Sequence, residues 1–116
     1  MQRDDQQFPN DDNGDVLWQM AQDGDDFNES REIDFSLVFT GQQQAEQCAL
    51  YLLHQGQKIS LYQEDEEGDL IWDMIVHIDM QPDYAEIVEI ESWLITISQK
   101  FFGEYDGWGC MAFVEL

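Results

Sequence analysis

An α+β fold is what this sequence predicts: a ferredoxin-like split βαβ sandwich, with a four-stranded antiparallel sheet, two helices on one face and an extra N-terminal helix. Three observations carry the expectation. Apolar residues alternate with polar ones in several short runs, the period of half-buried strands. Two longer stretches place their apolar residues at helical spacing, each between a capping-type start and a glycine. From Ile33 onward the order is strand, helix, strand, strand, helix, strand, and right-handed crossovers applied to that order give the sandwich.

The elements follow in sequence. Residues 1–13 hold Asp4, Asp5, Asp11 and Asp12 among Gln, Asn and Pro, with Phe8 as the one aromatic; such a composition buries little and predicts an acidic flexible arm, leaving 14–116 as a single domain. Val16, Leu17, Met20 and Ala21 fit a short helix that Gly24 can end, and Asp23, Asp25, Asp26 and Glu29 form an acidic connector. Ile33, Phe35, Leu37 and Phe39 alternate with Asp34, Ser36 and Val38 in the first strand. Thr40 with Gln43 offers a capping box, Ala45, Cys48, Ala49, Leu52 and Leu53 form one stripe, and Gly56 stops the helix. Ile59 and Leu61 mark a second strand, and residues 64–69 read as an acidic hairpin loop. In the long third strand Leu70, Trp72, Met74, Val76, Ile78 and Met80 share one face, while Ile71, Asp73, Ile75, His77 and Asp79 share the other. After Pro82, Asp83 with Glu86 starts a helix whose stripe is Ile87, Ile90, Leu94, Ile97 and Phe101, closed by Gly103; a fourth strand covers Tyr105 to Val114.

Composition narrows the function. The chain has 116 residues with 26 Asp/Glu against 4 Lys/Arg, a formal charge of -22. Disorder does not follow, because Leu, Ile, Val and Phe make up 30 of the 116 residues, above the roughly 20% floor for disordered chains. Arg3, Arg31, Lys58 and Lys100 are the whole basic complement. They cannot form the stripe that neutralises phosphates, so direct binding to nucleic acid or to an anionic membrane is excluded as an expectation. A protein partner with a basic surface is the electrostatic complement. The N-terminus lacks a hydrophobic signal core and no run approaches membrane-spanning length, so a cytoplasmic location is expected. Cys48 and Cys110 read as reduced thiols.

Chemistry-bearing motifs are scarce. His54 and His77 have no metal-ligand spacing with the cysteines and read as structural or surface histidines. An EF-hand register on the 64–69 loop would put Met74 where a bidentate Glu is required. No nucleophile elbow or phosphate-cradling loop occurs, so neither enzyme activity nor a cofactor is expected. Strand parity gathers Asp34, Ser36, Asp73, His77 and Asp79 on the sheet face away from the helices, which is open or partly covered by the N-terminal helix. An acidic face repels RNA and suits a basic protein, so Asp34, Asp73, His77 and Asp79 are candidate partner-binding residues. Glu104-Tyr105-Asp106-Gly107-Trp108-Gly109 adds Tyr105, Asp106 and Trp108. Two glycines beside an indole admit two readings: an unshielded binding anchor, or a bulged edge strand whose Tyr or Trp fills the core.

That last segment resembles the closing-strand signature of the ribonuclease E inhibitor family, regulator of ribonuclease activity B (RraB). The order of elements upstream, from the helix ending in Asp23-Gly24-Asp25 through the two βα units, is similar as well, over roughly residues 14 to 113. The resemblance implies a ferredoxin-like sandwich in a cytoplasmic protein without catalytic residues. It implies binding to endoribonuclease E, with its arginine-rich scaffold segments, and inhibition or modulation of RNA cleavage. Relatives often carry an acidic C-terminal tail, whereas here residues 1–34 hold 11 acidic and 2 basic residues. The alternative class is an acidic decoy or immunity-type protein that blocks another basic, nucleic-acid-binding protein.

Overall fold

The computed structural model describes residues 3–110. Among these residues three helices and four strands run in the order α1 (Asp12–Gln22), β1 (Arg31–Phe39), α2 (Gln42–His54), β2 (Lys58–Glu66), β3 (Asp69–Met80), α3 (Tyr84–Lys100) and β4 (Glu104–Cys110). The fold is α+β with one four-stranded sheet in the order β2-β3-β1-β4, and every neighbouring pair is antiparallel. The expected fourth strand ended at Val114; residues 111–114 lie outside the described residues.

Alternation in β1 decides the layering. Arg31, Ile33, Phe35, Leu37 and Phe39 are buried, whereas the residues between them are exposed or half-buried. Phe35 pairs with Val76 and Leu37 with Met74, so the apolar parity of β3 faces the same side. Ala45, Cys48, Ala49 and Leu52 of α2 and Ile87, Leu94 and Ile97 of α3 join them in one core. Leu53, assigned by its spacing to the α2 stripe, points outward instead. Helix α1 packs on α3 rather than across the opposite sheet face, and it contributes Leu17 to the core.

Local chemistry explains the boundaries, and several differ from expectation. Helix α1 begins at Asp12, ahead of the Gly14 boundary, because the Asp11 carboxylate accepts from Gly14 N at 2.8 Å. The segment before it is not empty of core. Phe8 is only 5% exposed, tucked between Trp18 and Phe27 at ring-centre distances of 5.4 and 6.0 Å. A Cβ on Gly14 would lie 1.7 Å from Pro9 O, so glycine is what lets this segment lie against α1. Arg3 ties it down further, donating to Phe8 O and Pro9 O and pairing with Asp15 at 2.8 Å.

The capping box expected at Thr40 does not form: Gly41 is the N-cap of α2, without a side-chain cap. Asp83 does cap α3, accepting from Glu86 N at 3.1 Å. At the other end of α3 the roles of two residues are exchanged. Phe102, not Gly103, takes the left-handed conformation (φ 62), while Gly103 is needed because a Cβ there would meet the Phe39 ring at 2.4 Å. The acidic hairpin is also tighter than a 64–69 loop. Glu66 pairs with Asp69, and Glu67 and Gly68 both have positive φ, the pattern of a two-residue type I′ turn.

One ion pair anchors the acidic connector. Arg31 is buried at the end of β1, where its Nη1 donates to both Asp25 carboxylate oxygens at 2.6 and 2.7 Å. Its Nη2 reaches Asp26 O and Glu29 O at 2.7 and 3.0 Å. A chain with four cations thus spends one of them inside the fold, closing the 23–29 turn on the sheet.

Candidate protein-binding face

The parity of β1 and β3 leaves a second, acidic sheet face. Asp34 lies directly opposite His77, Glu32 opposite Asp79, and Val38 opposite Asp73. Strand β2 adds Lys58 beside His77, Ser60 beside Ile75 and Tyr62 beside Asp73. On β4, Gly109 and Gly107 stand opposite Asp34 and Ser36, so that border of the face carries no side-chain wall.

His77 organises one end of this face. Its Nδ1 lies 2.7 Å from Asp34 Oδ1 and 3.4 Å from Glu32 Oε1, and its Nε2 lies 2.8 Å from Ser60 Oγ. Lys58 Nζ reaches Glu32 at 3.2 Å from the rim. The imidazole, 15% exposed, is therefore held at both nitrogens. Donor atoms of Glu32, Asp34 and His77 all lie within 4.8 Å of one another. Ser60, His77 and Asp34 also follow the hydrogen-bond order of a nucleophilic triad, with Ser60 carried on the open-face side of β2 beside Ile75.

The other end holds a shallow depression of about 290 Å³ lined by Asp73, Tyr105 and Asp106 together with Val38, Glu64, Ile71 and Glu104. Of the seven candidates from sequence, Asp34, His77 and Asp79 thus gather at one end, and Asp73 and Asp106 at the other. Asp106 is the extra residue of a β-bulge, since Ser36 pairs with Gly107 and Leu37 already with Tyr105. Gly107 takes φ 109 there, which a side chain would oppose.

Tyr105 and Trp108 project to the helix side, because their partners Leu37 and Phe35 are core residues. Both end in hydrogen bonds to it. Tyr105 OH donates to Glu91 Oε2 at 2.6 Å, Asn13 Nδ2 donates to Glu91 Oε1, and Trp108 Nε1 donates to Asn13 Oδ1 at 2.8 Å. Burial, then the hydrogen bond to Glu91 and that carboxylate's charge, pushes the Tyr105 phenol far above its ordinary range. Nearby, Tyr84 OH donates to Asp11. That bond lowers the Asp11 pKa and raises that of Tyr84. In the Gly-Trp-Gly segment the half-buried indole packs at the core margin under the start of α1.

Sequence reasoning missed Glu32, Lys58 and Ser60 around His77, and Asn13 and Glu91 around Trp108. Glu32 shares strand parity with Asp34 and was legible by that signal. The others depend on strand register and helix docking, which a linear pattern does not encode.

No helix among the described residues is long and apolar enough to cross a membrane. Comparison with curated proteins returns no match. The family model described as regulator of ribonuclease activity B matches residues 10–110, from the residue before the N-cap of α1 to the last described residue of β4. The chain belongs to this family of regulators of ribonuclease activity.

Proposed function

We propose that the protein is a non-catalytic acidic ligand of endoribonuclease E, which it binds through a basic surface of that enzyme and whose cleavage of RNA it inhibits or modulates. Its action is cytoplasmic, with neither membrane nor direct nucleic-acid contact. The observation that carries the reading is the open sheet face, where Glu32, Asp34, Asp73 and Asp79 share one side of β1 and β3 in a chain matched to ribonuclease regulators. The strand order β2-β3-β1-β4, in which β3 stands between β1 and β2 and β1 between β3 and β4, supports reading the domain as a ferredoxin-like split βαβ sandwich.

A field of this sign steers a cationic surface toward the molecule and accelerates encounter. Exposed charges are screened over about 10 Å at 0.1 M salt and about 3 Å at 1 M, so inhibition weakens as salt rises, mainly through slower association. The test is association kinetics with the purified endoribonuclease across a salt series, beside cleavage of a defined transcript. The Asp34→Asn, Asp73→Asn, Asp79→Asn triple variant is expected to associate more slowly at low salt and to inhibit less. A salt-independent rate with the triple variant binding like wild type removes the acidic face from the interface. Undiminished cleavage at saturating protein removes this enzyme as target and leaves the decoy class, a blocker of some other basic protein.

A further inference from the structure

We propose that Glu32, Asp34 and His77 on the open sheet face form a binding site for a divalent first-row transition metal of the zinc type. The inference stands apart from the identity of the protein partner.

The donor set is specific in kind. One imidazole nitrogen and two carboxylates suit zinc and its neighbours better than magnesium or calcium, which take oxygen ligands alone. Two donors bound at about 2.1 Å to one ion can be no more than about 4.2 Å apart. Asp34 and Glu32 already stand at 2.7 and 3.4 Å from His77 Nδ1. The full set lies within 4.8 Å, and a small rotation of the Glu32 side chain, at 45% exposure, closes the rest.

What distinguishes the group from an ordinary run of surface acids is how the ring is held. Ser60 Oγ meets Nε2 at 2.8 Å on the side away from the carboxylates. Metal-bound imidazoles characteristically give their far N–H to such a partner, which fixes tautomer and ring plane. With the proton on Nε2, the Nδ1 lone pair faces two carboxylates, an arrangement that is repulsive until a cation is shared between them. With the proton on Nδ1, the ring simply donates to Asp34; a metal selects the first tautomer. A further feature leans the same way. Glu32 faces Asp79 across the β1–β3 ladder, and like charges in directly opposed positions destabilise a sheet unless a cation relieves them. Lys58 provides that relief only from the rim and from one side, at 77% side-chain exposure. The ligands come from two strands, so the linear spacing of histidines and cysteines gives no sign of them.

The test is zinc titration by calorimetry on the full chain, with thermal melts with and without the ion. One equivalent is expected to bind in the micromolar range and raise the melting temperature. His77→Gln and Asp34→Asn should each weaken binding at least tenfold, Ser60→Ala several-fold to tenfold by freeing the ring, and Lys58→Met should tighten it. His54→Gln and Cys110→Ser should leave it unchanged. Melts of each variant without metal report folding independently. Because His77, Asp34, Ser60 and Lys58 lie on the open face, near-wild-type midpoints are expected for their variants. Equal binding by wild type and His77→Gln, competition by millimolar magnesium, or loss of binding in either control would overturn the proposal, each pointing to diffuse counterions or to other ligands.

Discussion

Trp108 donates its indole N–H to the Asn13 side chain at 2.8 Å, joining β4 to the first turn of α1 across 95 residues of chain. With Glu91 receiving both Asn13 and Tyr105, the bond completes a polar clasp over the core margin. Its rupture leaves half-buried polar atoms without partners. Trp108→Phe is expected to cost about 1–2 kcal/mol, and Trp108→Ala about 3 kcal/mol as the cavity term is added. Denaturant melts of both, with Asn13→Ala in a double-mutant cycle, check the coupling. A loss confined to partner binding would place the indole in the interface instead.

Phe8 gives the opposite sign to the expectation from composition. Phe8→Ala should destabilise by about 3 kcal/mol, lowering the melting temperature by roughly 10 °C in a domain of this size. Removing residues 1–13 should do at least as much, since it also takes Asn13 and the Asp11 cap. An unchanged calorimetric midpoint would return the segment to the status of a mobile arm.

Arg31 and Asp25 form a desolvated pair, with side-chain exposures of 2% and 0%. Arg31→Met strands the carboxylate and is expected to cost about 3–5 kcal/mol, whereas adding Asp25→Leu should restore much of it. Chemical denaturation of the two variants makes the comparison.

At the end of α3 two adjacent substitutions should act in opposite directions. Phe102 is 81% exposed in left-handed backbone, a conformation costing about 1–2 kcal/mol for a residue with a side chain. Part of that gain is lost to the freer unfolded glycine, about 0.4–1 kcal/mol; Phe102→Gly is therefore expected to stabilise by about 0.5–1 kcal/mol. Gly103→Ala should destabilise, because the new methyl meets the Phe39 ring. Paired thermal melts read both signs.

Alkaline pH should weaken the fold through Cys48. Burial pushes its thiol from 9.0 up to about 11. A raised folded pKa means that the unfolded chain releases the proton first, so this contribution is whole below about 9 and is lost as pH rises toward about 11. Tyr105, raised for the related reason of burial beside Glu91, acts in the same direction above its ordinary value of 10.0. Stability measured between pH 8 and 11 should fall, and Cys48→Ala should flatten the lower part of that fall.

The contrast between what was legible and what was not has a physical basis. The two-residue period of Ile33–Phe39 and the helical stripe from Ile87 to Ile97 placed the core, because burial repeats with backbone geometry. Family resemblance at Glu104–Gly109 was legible for the same local reason. Phe8 was not, since one aromatic in a polar run has no period, and its burial depends on Trp18 and Phe27 arriving from elsewhere. Likewise, the acid parity of β1 and β3 was readable, but the neighbours of His77 depend on the β2–β3 register. The side of the sheet that Trp108 takes depends on a bulge that displaces Asp106, which shifts parity within a single strand.

The strand order has a consequence for how the chain is made. Strand β1 emerges early in synthesis yet lies between β3 and β4, so one of its edges must wait for the last strand. At about 5–20 residues per second that delay lasts seconds, during which an apolar strand edge stands open to pairing with other nascent chains. Glu32 and Asp34 lie on that strand, and Glu29 and Asp26 just before it. Their charge on every copy makes edge-to-edge stacking repulsive. The acidity of this domain thus also guards its own assembly, before any partner is met.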